Sequence, residues 1–305
     1  MARSARKKSP TGLDHVIVKG MKETILFKED SDKDKYIELI KNYMKIYPVQ
    51  IYAYCFMTTH AHFFINSINS NLSMFMKSVN QSYAAYYNTK YDRIGHVFFD
   101  RFKNITVLSN KQTKNLSLYI HRNPKDISGY KHEPEKYKYS SLSVYFGLTT
   151  DNTGILDISY VLNAFDFNIK KAIKLYWMMM HQDNLFIDSE KIKEKDIENQ
   201  KSLYEINKIN ITPTITPENI LDFIKEYTGE NFNIHLKYDR INRKYTSIFV
   251  LLVRSFCNLT YKNIGMLIGD ISSSTIGKLC AKGLELTDNN KEFSSIHNDL
   301  INFYN

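Results

Sequence analysis

The sequence contains little cysteine, proline and tryptophan, and it has no long apolar run. Only 3 cysteines occur among 305 residues, far apart, which argues against a disulfide framework and a cysteine zinc cluster. With 6 prolines, 11 glycines and 24% charged residues, collagen and long disorder are excluded. No stretch of about 18 uncharged apolar residues occurs, so no transmembrane helix and no membrane partner are expected. These features predict a cytoplasmic globular protein of about two domains.

The positive charge is concentrated in the first half of the chain. Residues 1–150 contain 23 basic and 12 acidic side chains, whereas residues 151–305 contain 18 and 20. Such an excess indicates a polyanionic partner, either nucleic acid or an anionic membrane surface. The alternative is a soluble surface in a lysine-rich composition.

The first half alternates between strand and helix patterns. In chain order these are a strand at Leu13–Gly20, a helix at Asp32–Tyr47, a hairpin of Val49–Met57 and Ala61–Ser67, a helix at Leu72–Lys90, an extended segment at His96–Leu108 and a helix at Lys111–Asn123. This order predicts an antiparallel sheet covered by helices, an α+β fold.

After residue 150 the strand patterns fade. Helices are predicted at Ile158–Asn163, at Ile169–His181 and from Pro217 onward. The charged segment Lys191–Lys208 and the segment ITPTITP, Ile211–Pro217, indicate a connector. We therefore expect a domain at 1–150, a helical connector at 151–216 and an all-helical domain at 217–305.

Two histidines stand one residue apart in the segment MTTHAHFFI. If this segment is a strand, His60 and His62 project from the same face, while Ala61 points to the opposite layer. Two adjacent imidazoles are half of a site for a divalent metal ion. Such pairs also occur by chance on surfaces.

A tyrosine and an asparagine share one face of the helix that ends before Pro124. Tyr119 and Asn123 are four residues apart, and a tyrosine hydroxyl can act as a nucleophile while an amide oxygen can bind a hard metal ion. A packed aromatic ring is the alternative for Tyr119. His121, between them, is expected at the surface or in contact with a phosphate.

Five pieces of the sequence, in this order, resemble the HUH-type one-tyrosine transposases, especially the REP-associated tyrosine transposase branch. They are the strand LDHV at Leu13, the motif HAH at His60, the segment NQSYAAYYN at Asn80 followed by RIGHVF at Arg93, the segment YIHRNP at Tyr119, and YSS at Tyr139. The resemblance covers about residues 10–148.

The resemblance implies a ferredoxin-like domain that cleaves single-stranded or hairpin DNA. In that family His60 and His62 would bind Mg²⁺ or Mn²⁺, Asn123 would be the third ligand, and Tyr119 would form a 5′-phosphotyrosine bond. It also implies a nucleoid-associated protein, as a monomer or a homodimer. A covalent protein–DNA bond conserves the energy of the phosphodiester for rejoining, so no ATP is needed. The sequence agrees with this expectation, because it contains no GxxxxGK[ST] loop for binding a nucleoside triphosphate.

Basic side chains near aromatic residues are the candidate DNA contacts of the first half. Arg93 and Arg101 could contact phosphates beside stacked bases. His96 and Arg122, within the matched pieces, are predicted DNA contacts as well.

The C-terminal part contains a helix-turn-helix pattern. Thr260 is a good N-cap, Gly269 a good helix end, and Ser272 or Ser273 caps the next helix. The pattern resembles the helix-turn-helix at the end of bacterial replication initiators. The residues that would face the major groove or phosphates are Ser273, Ser274, Thr275 and Lys278. The alternative is a helical accessory module without DNA contacts.

The sequence therefore predicts a metal-dependent DNA strand transferase. A domesticated regulator that binds hairpin DNA without cutting it, and an RNA-binding protein using the same sheet, are the alternatives.

Overall fold

The computed structural model describes residues 9–21, 25–68, 70–182, 215–235, 240–257 and 259–304. The predicted connector segment Lys191–Lys208, and Ile211–Pro217 up to residue 214, lie outside them. By packing, the chain divides into two units. The first comprises Met1–Asn42, Val49–Ile68 and Met76–Lys208, and the second comprises Tyr43–Pro48, Asn69–Phe75 and Ile209–Asn305. Residues 151–182 of the predicted connector thus belong to the first unit.

The first unit is built on a four-stranded antiparallel sheet in the order β2-β3-β1-β4. The strands are β1 (Leu13–Lys19), β2 (Gln50–Phe56), β3 (His60–Asn66) and β4 (Lys103–Thr106), and the helices between them are α1 (Asp30–Met44) and α2 (Leu72–Lys90). This β-α-β-β-α-β order is the ferredoxin-like arrangement, and it confirms the predicted α+β fold.

One face of the sheet carries an aromatic core. Phe63 of β3 stacks near Tyr36 of α1, and Tyr36 meets Tyr83 of α2 edge to face with ring centroids 5.0 Å apart. All three side chains are buried. Most tyrosines of α1 and α2 therefore stabilise the fold and are unavailable to bases, as rings buried at 1% exposure or less cannot stack on a ligand.

The opposite face is covered by helices from later in the chain. They are α3 (Asn110–Arg122), the short α4 (Leu142–Tyr145) and α5 (Ser159–Phe165), and α6 (Ile169–His181) packs on α3 and α5. Helix α3 begins where the Ser109 side chain accepts a hydrogen bond from the backbone of Gln112, and it packs on β2 and β3. This packing brings the last turn of α3 to the sheet face that carries His60 and His62 of β3.

The extended segment predicted at His96–Leu108 is mostly a loop. Only Lys103–Thr106 pairs with β1, and one isolated bridge joins Gly20 to Phe98. Positive backbone φ angles at Asp92 and Gly95 turn the chain before this segment, in which exposed residues alternate with the buried Val97, Phe102 and Val107. The β-branched and aromatic residues thus lack a partner strand over most of the segment.

The second unit is helical, as predicted. Its helices are α7 (Pro217–Thr228), α8 (Arg240–Phe256), α9 (Tyr261–Ile268), α10 (Ser273–Asn289) and α11 (Ile296–Tyr304). Buried residues such as Phe223, Leu251 and Ile276 form one core among them. The caps at Thr260, Gly269 and Ser272 are those expected from the sequence. None of the described helices is both long and apolar enough to cross a membrane.

Candidate functional site

His60 and His62 lie on the sheet face that α3 covers. Both belong to β3, and the strand register places Lys19 and Ile17 of β1 opposite them. The two imidazole rings are 4.9 Å apart between centroids. The sequence-based expectation of two neighbouring imidazoles on one face therefore holds in the structure.

His15 of β1 completes a group of three histidines. It points to the same face as His62, and its Nε2 lies 3.0 Å from Nδ1 of His62 in a buried hydrogen bond. The two rings are stacked with centroids 5.2 Å apart. Sequence reasoning missed His15, although it stands in the quoted LDHV strand, because the neighbour of a strand residue depends on the register between distant segments.

The three imidazoles are held neutral. Burial lowers the pKa of His15 to about 4, and burial together with His15 and His60 lowers the pKa of His62 to about 2. Burial and the charge of Lys19 also lower the pKa of His60, against the opposing effect of Asp126. Neutral imidazoles keep the lone pair that a metal ligand requires.

The hydrogen bonds also indicate which nitrogens are available. Nδ1 of His60 lies 3.0 Å from the hydroxyl oxygen of Thr59, and Nδ1 of His62 faces His15. Nε2 therefore remains as the ligand atom of both His60 and His62. A ligating histidine usually gives its other ring nitrogen to a hydrogen-bond partner in this way.

Tyr119 of α3 lies against this histidine group. Its ring centroid is 5.5 Å from that of His62 and 5.7 Å from that of His15, both edge to face. The side chain is half-buried, and burial together with the charge of Asp126 raises the pKa of its hydroxyl. The packing of α3 thus brings the predicted nucleophile to the predicted metal ligands.

Asn123 ends α3 and is oriented by the helix. Its amide nitrogen donates to the backbone carbonyls of Tyr119 and Ile120 at 2.9 and 3.1 Å. With the nitrogen engaged, the amide oxygen is the atom left to bind a cation. The predicted third ligand therefore has a fixed orientation.

The donor set of His60, His62 and Asn123 fits a divalent metal ion. Imidazole nitrogens bind divalent first-row metal ions, and the amide oxygen is the kind of hard ligand that Mn²⁺ and Mg²⁺ prefer. Among the described residues, no group of three or more His, Cys, Asp or Glu side chains has the geometry of a metal site. The third ligand predicted here is an amide, which lies outside that set of residue types.

His121 is fully buried, contrary to the expected surface position. One ring nitrogen, Nδ1, lies 2.6 Å from the hydroxyl of Tyr176, and Nε2 lies 2.6 Å from that of Ser141. Burial lowers its pKa to about 3. The residue faces the inside of the helical layer because α6 and the segment before α4 pack over it.

Three predicted DNA contacts lie in the loop between α2 and β4. His96 and Arg101 are exposed, whereas Arg93 is half-buried with its guanidinium 5.6 Å from the ring centre of Tyr87. The loop carries Ile94 fully exposed and Phe99 61% exposed. The DNA contacts themselves stay predictions.

Arg122 has structural partners on α6. Its guanidinium donates to the backbone carbonyl oxygens of Met179 and Gln182 at 2.7 and 3.1 Å. These bonds satisfy carbonyls at the C-terminal end of α6. Its contact with DNA stays a prediction.

The predicted contacts of the second unit are on the surface of α10. The exposed residues of its first turns include Ser273, Ser274, Thr275 and Lys278. They follow the capping residue Ser272, whose side chain accepts a hydrogen bond from the backbone of Thr275. The helix-turn-helix role of α10 and the base contacts of these four residues stay predictions.

The sheet order, the histidine pair on β3 and the tyrosine on the covering helix are the arrangement expected from the resemblance to HUH-type one-tyrosine transposases. Residues 13–123 match the family model described as transposase, IS200-like. Over these residues the chain is therefore similar to IS200-like DNA transposases.

A solved structure of a REP-associated tyrosine transposase bound to a REP hairpin is also similar. Its sequence is 14% identical, the match covers 52% of this chain and 100% of that chain, and the TM-score is 0.41. The comparison with curated proteins gave no significant match.

Proposed function

We propose that this protein cleaves and rejoins single-stranded DNA, in hairpin form, through a 5′-phosphotyrosine intermediate on Tyr119. The observation that carries the proposal is the contact of the Tyr119 ring with His62 and His15, which brings the nucleophile to the ligand group. Mg²⁺ or Mn²⁺ would be held by His60, His62 and Asn123.

The bound metal ion would supply charge neutralisation at a non-bridging phosphate oxygen. The chain itself supplies the positions. Strand β3 holds His60 and His62 side by side, and the last turn of α3 holds Asn123 and Tyr119 on one face. Because α3 packs directly on β3, ligand and nucleophile are preorganised relative to each other.

The reaction exchanges one phosphodiester bond for another. The Tyr119 hydroxyl oxygen bonds to phosphorus as the bond from phosphorus to the 3′ oxygen breaks. The phenol loses its proton, and the departing 3′ oxygen gains one, so the step is balanced without a further reactant. The reverse attack by a 3′-hydroxyl releases Tyr119 and rejoins a strand.

His15 acts as a positioning residue. Its Nε2 lies 3.0 Å from Nδ1 of His62, and we assign the proton of this pair to Nδ1 of His62, which leaves the lone pair of His62 on Nε2. Thr59 plays the corresponding part for His60. Neither His15 nor Thr59 needs to touch the DNA for this role.

The helix-turn-helix of the second unit would add sequence preference. The exposed residues at the start of α10 are proposed to contact DNA, while the basic first unit supplies affinity for phosphates. The proposal also includes association with the nucleoid, and it holds for a monomer as well as for a homodimer.

A label-transfer experiment tests the reaction. A hairpin oligonucleotide with a single-stranded flank and a 3′-end label is incubated with the full chain and Mn²⁺. Because Tyr119 would retain the 5′ phosphate of the downstream fragment, the label is expected to migrate with the protein on a denaturing gel.

The controls are two tyrosine-to-phenylalanine variants. Tyr119→Phe should form no adduct and keep its affinity for DNA, since only one hydroxyl is lost. Tyr130→Phe, at another half-buried tyrosine, should form the adduct like the wild type. DNA binding by the wild type without any adduct would instead assign the non-cleaving regulator.

A further inference from the structure

Three aromatic rings form a stacked row on the first unit, away from the sheet. Trp177 and His181 of α6 stack with centroids 4.1 Å apart at 28°, and His181 continues to Phe146 at 6.1 Å and 24°. Trp177 is 50% exposed and His181 is exposed, so the row is open to solvent. A near-parallel row of rings is a stacking platform for planar groups.

The row is held in place by the helix. Nδ1 of His181 lies 2.8 Å from the backbone carbonyl oxygen of Trp177, which fixes the imidazole plane. On the inner side of α6, Tyr176 and Met180 are buried. The apolar face of α6 is therefore already packed against the core, and the exposed rings of Trp177 and His181 are not needed for that packing.

A basic cleft adjoins the row. It is lined by Lys125, Lys131 and His132 together with Phe146, Met180, His181 and Pro134, and its volume is about 180 Å³. Among the residues that the structure describes, no acidic side chain lines it. Among the described residues neither lysine of the cleft takes part in an ion pair, so both charges are available to an anion.

The outer face of α6 adds to this charge. Lys170, Lys171 and Lys174 are exposed there, and the helix contains no acidic residue. Stacking rings beside lysines form the combination that binds single-stranded nucleic acid, where bases stack and phosphates meet cations.

We propose that the stacked row of Trp177, His181 and Phe146, with the cleft of Lys125 and Lys131, binds the single-stranded DNA that flanks the cleavage site. The proposal rests on the proposed function and names a binding site for its substrate. Lys125 lies in the short 3-10 segment Asn123–Asp126, which begins at the proposed metal ligand. A strand that leaves the active site along this segment reaches the cleft first and the rings next.

Binding of unpaired bases explains the combination of stacked rings and lysine side chains better than binding of a protein. The charged side chains that line the cleft are of one sign, as a polyanion requires, and neighbouring rings of the row are near-parallel. Duplex DNA has its bases already stacked, so the site is expected to prefer unpaired strands.

Trp177 is the only tryptophan of the chain, and it therefore reports on its own site. The full chain is titrated with unstructured oligothymidine in EDTA, so that no cleavage takes place, and the tryptophan emission is followed. Saturable quenching by the single strand is expected, with weaker quenching by a duplex of the same length.

Variants then measure the contribution of each part through the anisotropy of a labelled oligothymidine. Trp177→Ala should weaken binding about tenfold, and Trp177→Phe should retain most of it. Phe167→Ala removes an exposed ring outside the row, 92% exposed, and should bind like the wild type. Replacing Lys125 and Lys131 by alanine should reduce the salt dependence, and Lys136→Ala should not.

Unchanged emission at saturating single strand, or wild-type affinity of Trp177→Ala, overturns the proposal. Loss of a dimer by Trp177→Ala with unchanged DNA affinity would assign the row to contact between copies of the chain. The label-transfer experiment is independent: quenching without a covalent adduct would retain this binding site and reject the proposed reaction.

Discussion

Replacement of His15 by phenylalanine should weaken metal binding without removing any proposed ligand. The phenyl ring has nearly the shape of the imidazole and can keep the edge-to-face contact with Tyr119. It cannot accept the hydrogen bond that now joins His15 to Nδ1 of His62 at 3.0 Å. His15→Gln is the matched variant, because its amide oxygen restores an acceptor.

The expected magnitude follows from the lost orientation of His62. In the variant, Nδ1–H of His62 would be a buried donor without a partner, at a cost of about 1–3 kcal/mol. The proton is then better placed on Nε2, and that tautomer offers the metal no lone pair. Loss of such supporting hydrogen bonds typically costs 10–100-fold in metal affinity, or about 1.4–2.7 kcal/mol.

Two measurements on the full chain test this expectation. Free Mn²⁺ is followed by electron paramagnetic resonance during titration of wild type, His15→Phe and His15→Gln. Nitrogen-15 chemical shifts of the metal-free protein report which nitrogen of His62 carries the proton. Thermal unfolding of each variant establishes that the fold is kept.

The wild type should show His62 protonated on Nδ1, and His15→Gln should recover most of the affinity. Equal Mn²⁺ affinity of wild type and His15→Phe would refute the reasoning. A wild-type His62 protonated on Nε2 would also refute it, because His15 would then be the donor in the pair.

Three further predictions concern buried and exposed positions elsewhere. Because burial lowers the pKa of His121 to about 3 from about 6.5 in the unfolded chain, the unfolded state takes up the proton first as the pH falls. Guanidinium unfolding followed by tryptophan emission should therefore show the wild type losing about 2 kcal/mol more than His121→Phe between pH 7 and pH 5. Gly265→Ala should destabilise the second unit by about 1–3 kcal/mol, because the new Cβ would overlap the backbone carbonyl oxygen of Ile271 in the following turn. The control is Gly277→Ala, where a Cβ has room. Thermal melts followed by circular dichroism compare the two variants. Lys278→Ala should lower hairpin affinity in a binding titration, whereas Lys282→Ala, whose charge pairs with Glu285 at 2.8 Å, should change it less.

Local chemistry determined much of what the sequence predicts correctly. The limits of α2 and α6, the hairpin turn before His60 and the caps at Thr260 and Ser272 follow from periodicity and from side chains that bond their own backbone. The common face of His60 and His62 follows in the same way from the alternation of a strand, and the resemblance of the quoted motifs indicated the transposase family that the comparison supports.

Only the tertiary structure decided which of these local pieces meet. His15 reaches His62 because β1 pairs with β3 in one register, and Tyr119 faces both because α3 packs on that side of the sheet. His121, two residues further along α3, is buried by Ser141 and Tyr176, which belong to distant segments of the chain. The sequence around His121 does not indicate these contacts. The direction of a side chain is set locally, but its neighbours are set by contacts between remote parts of the chain, and those contacts assemble the site.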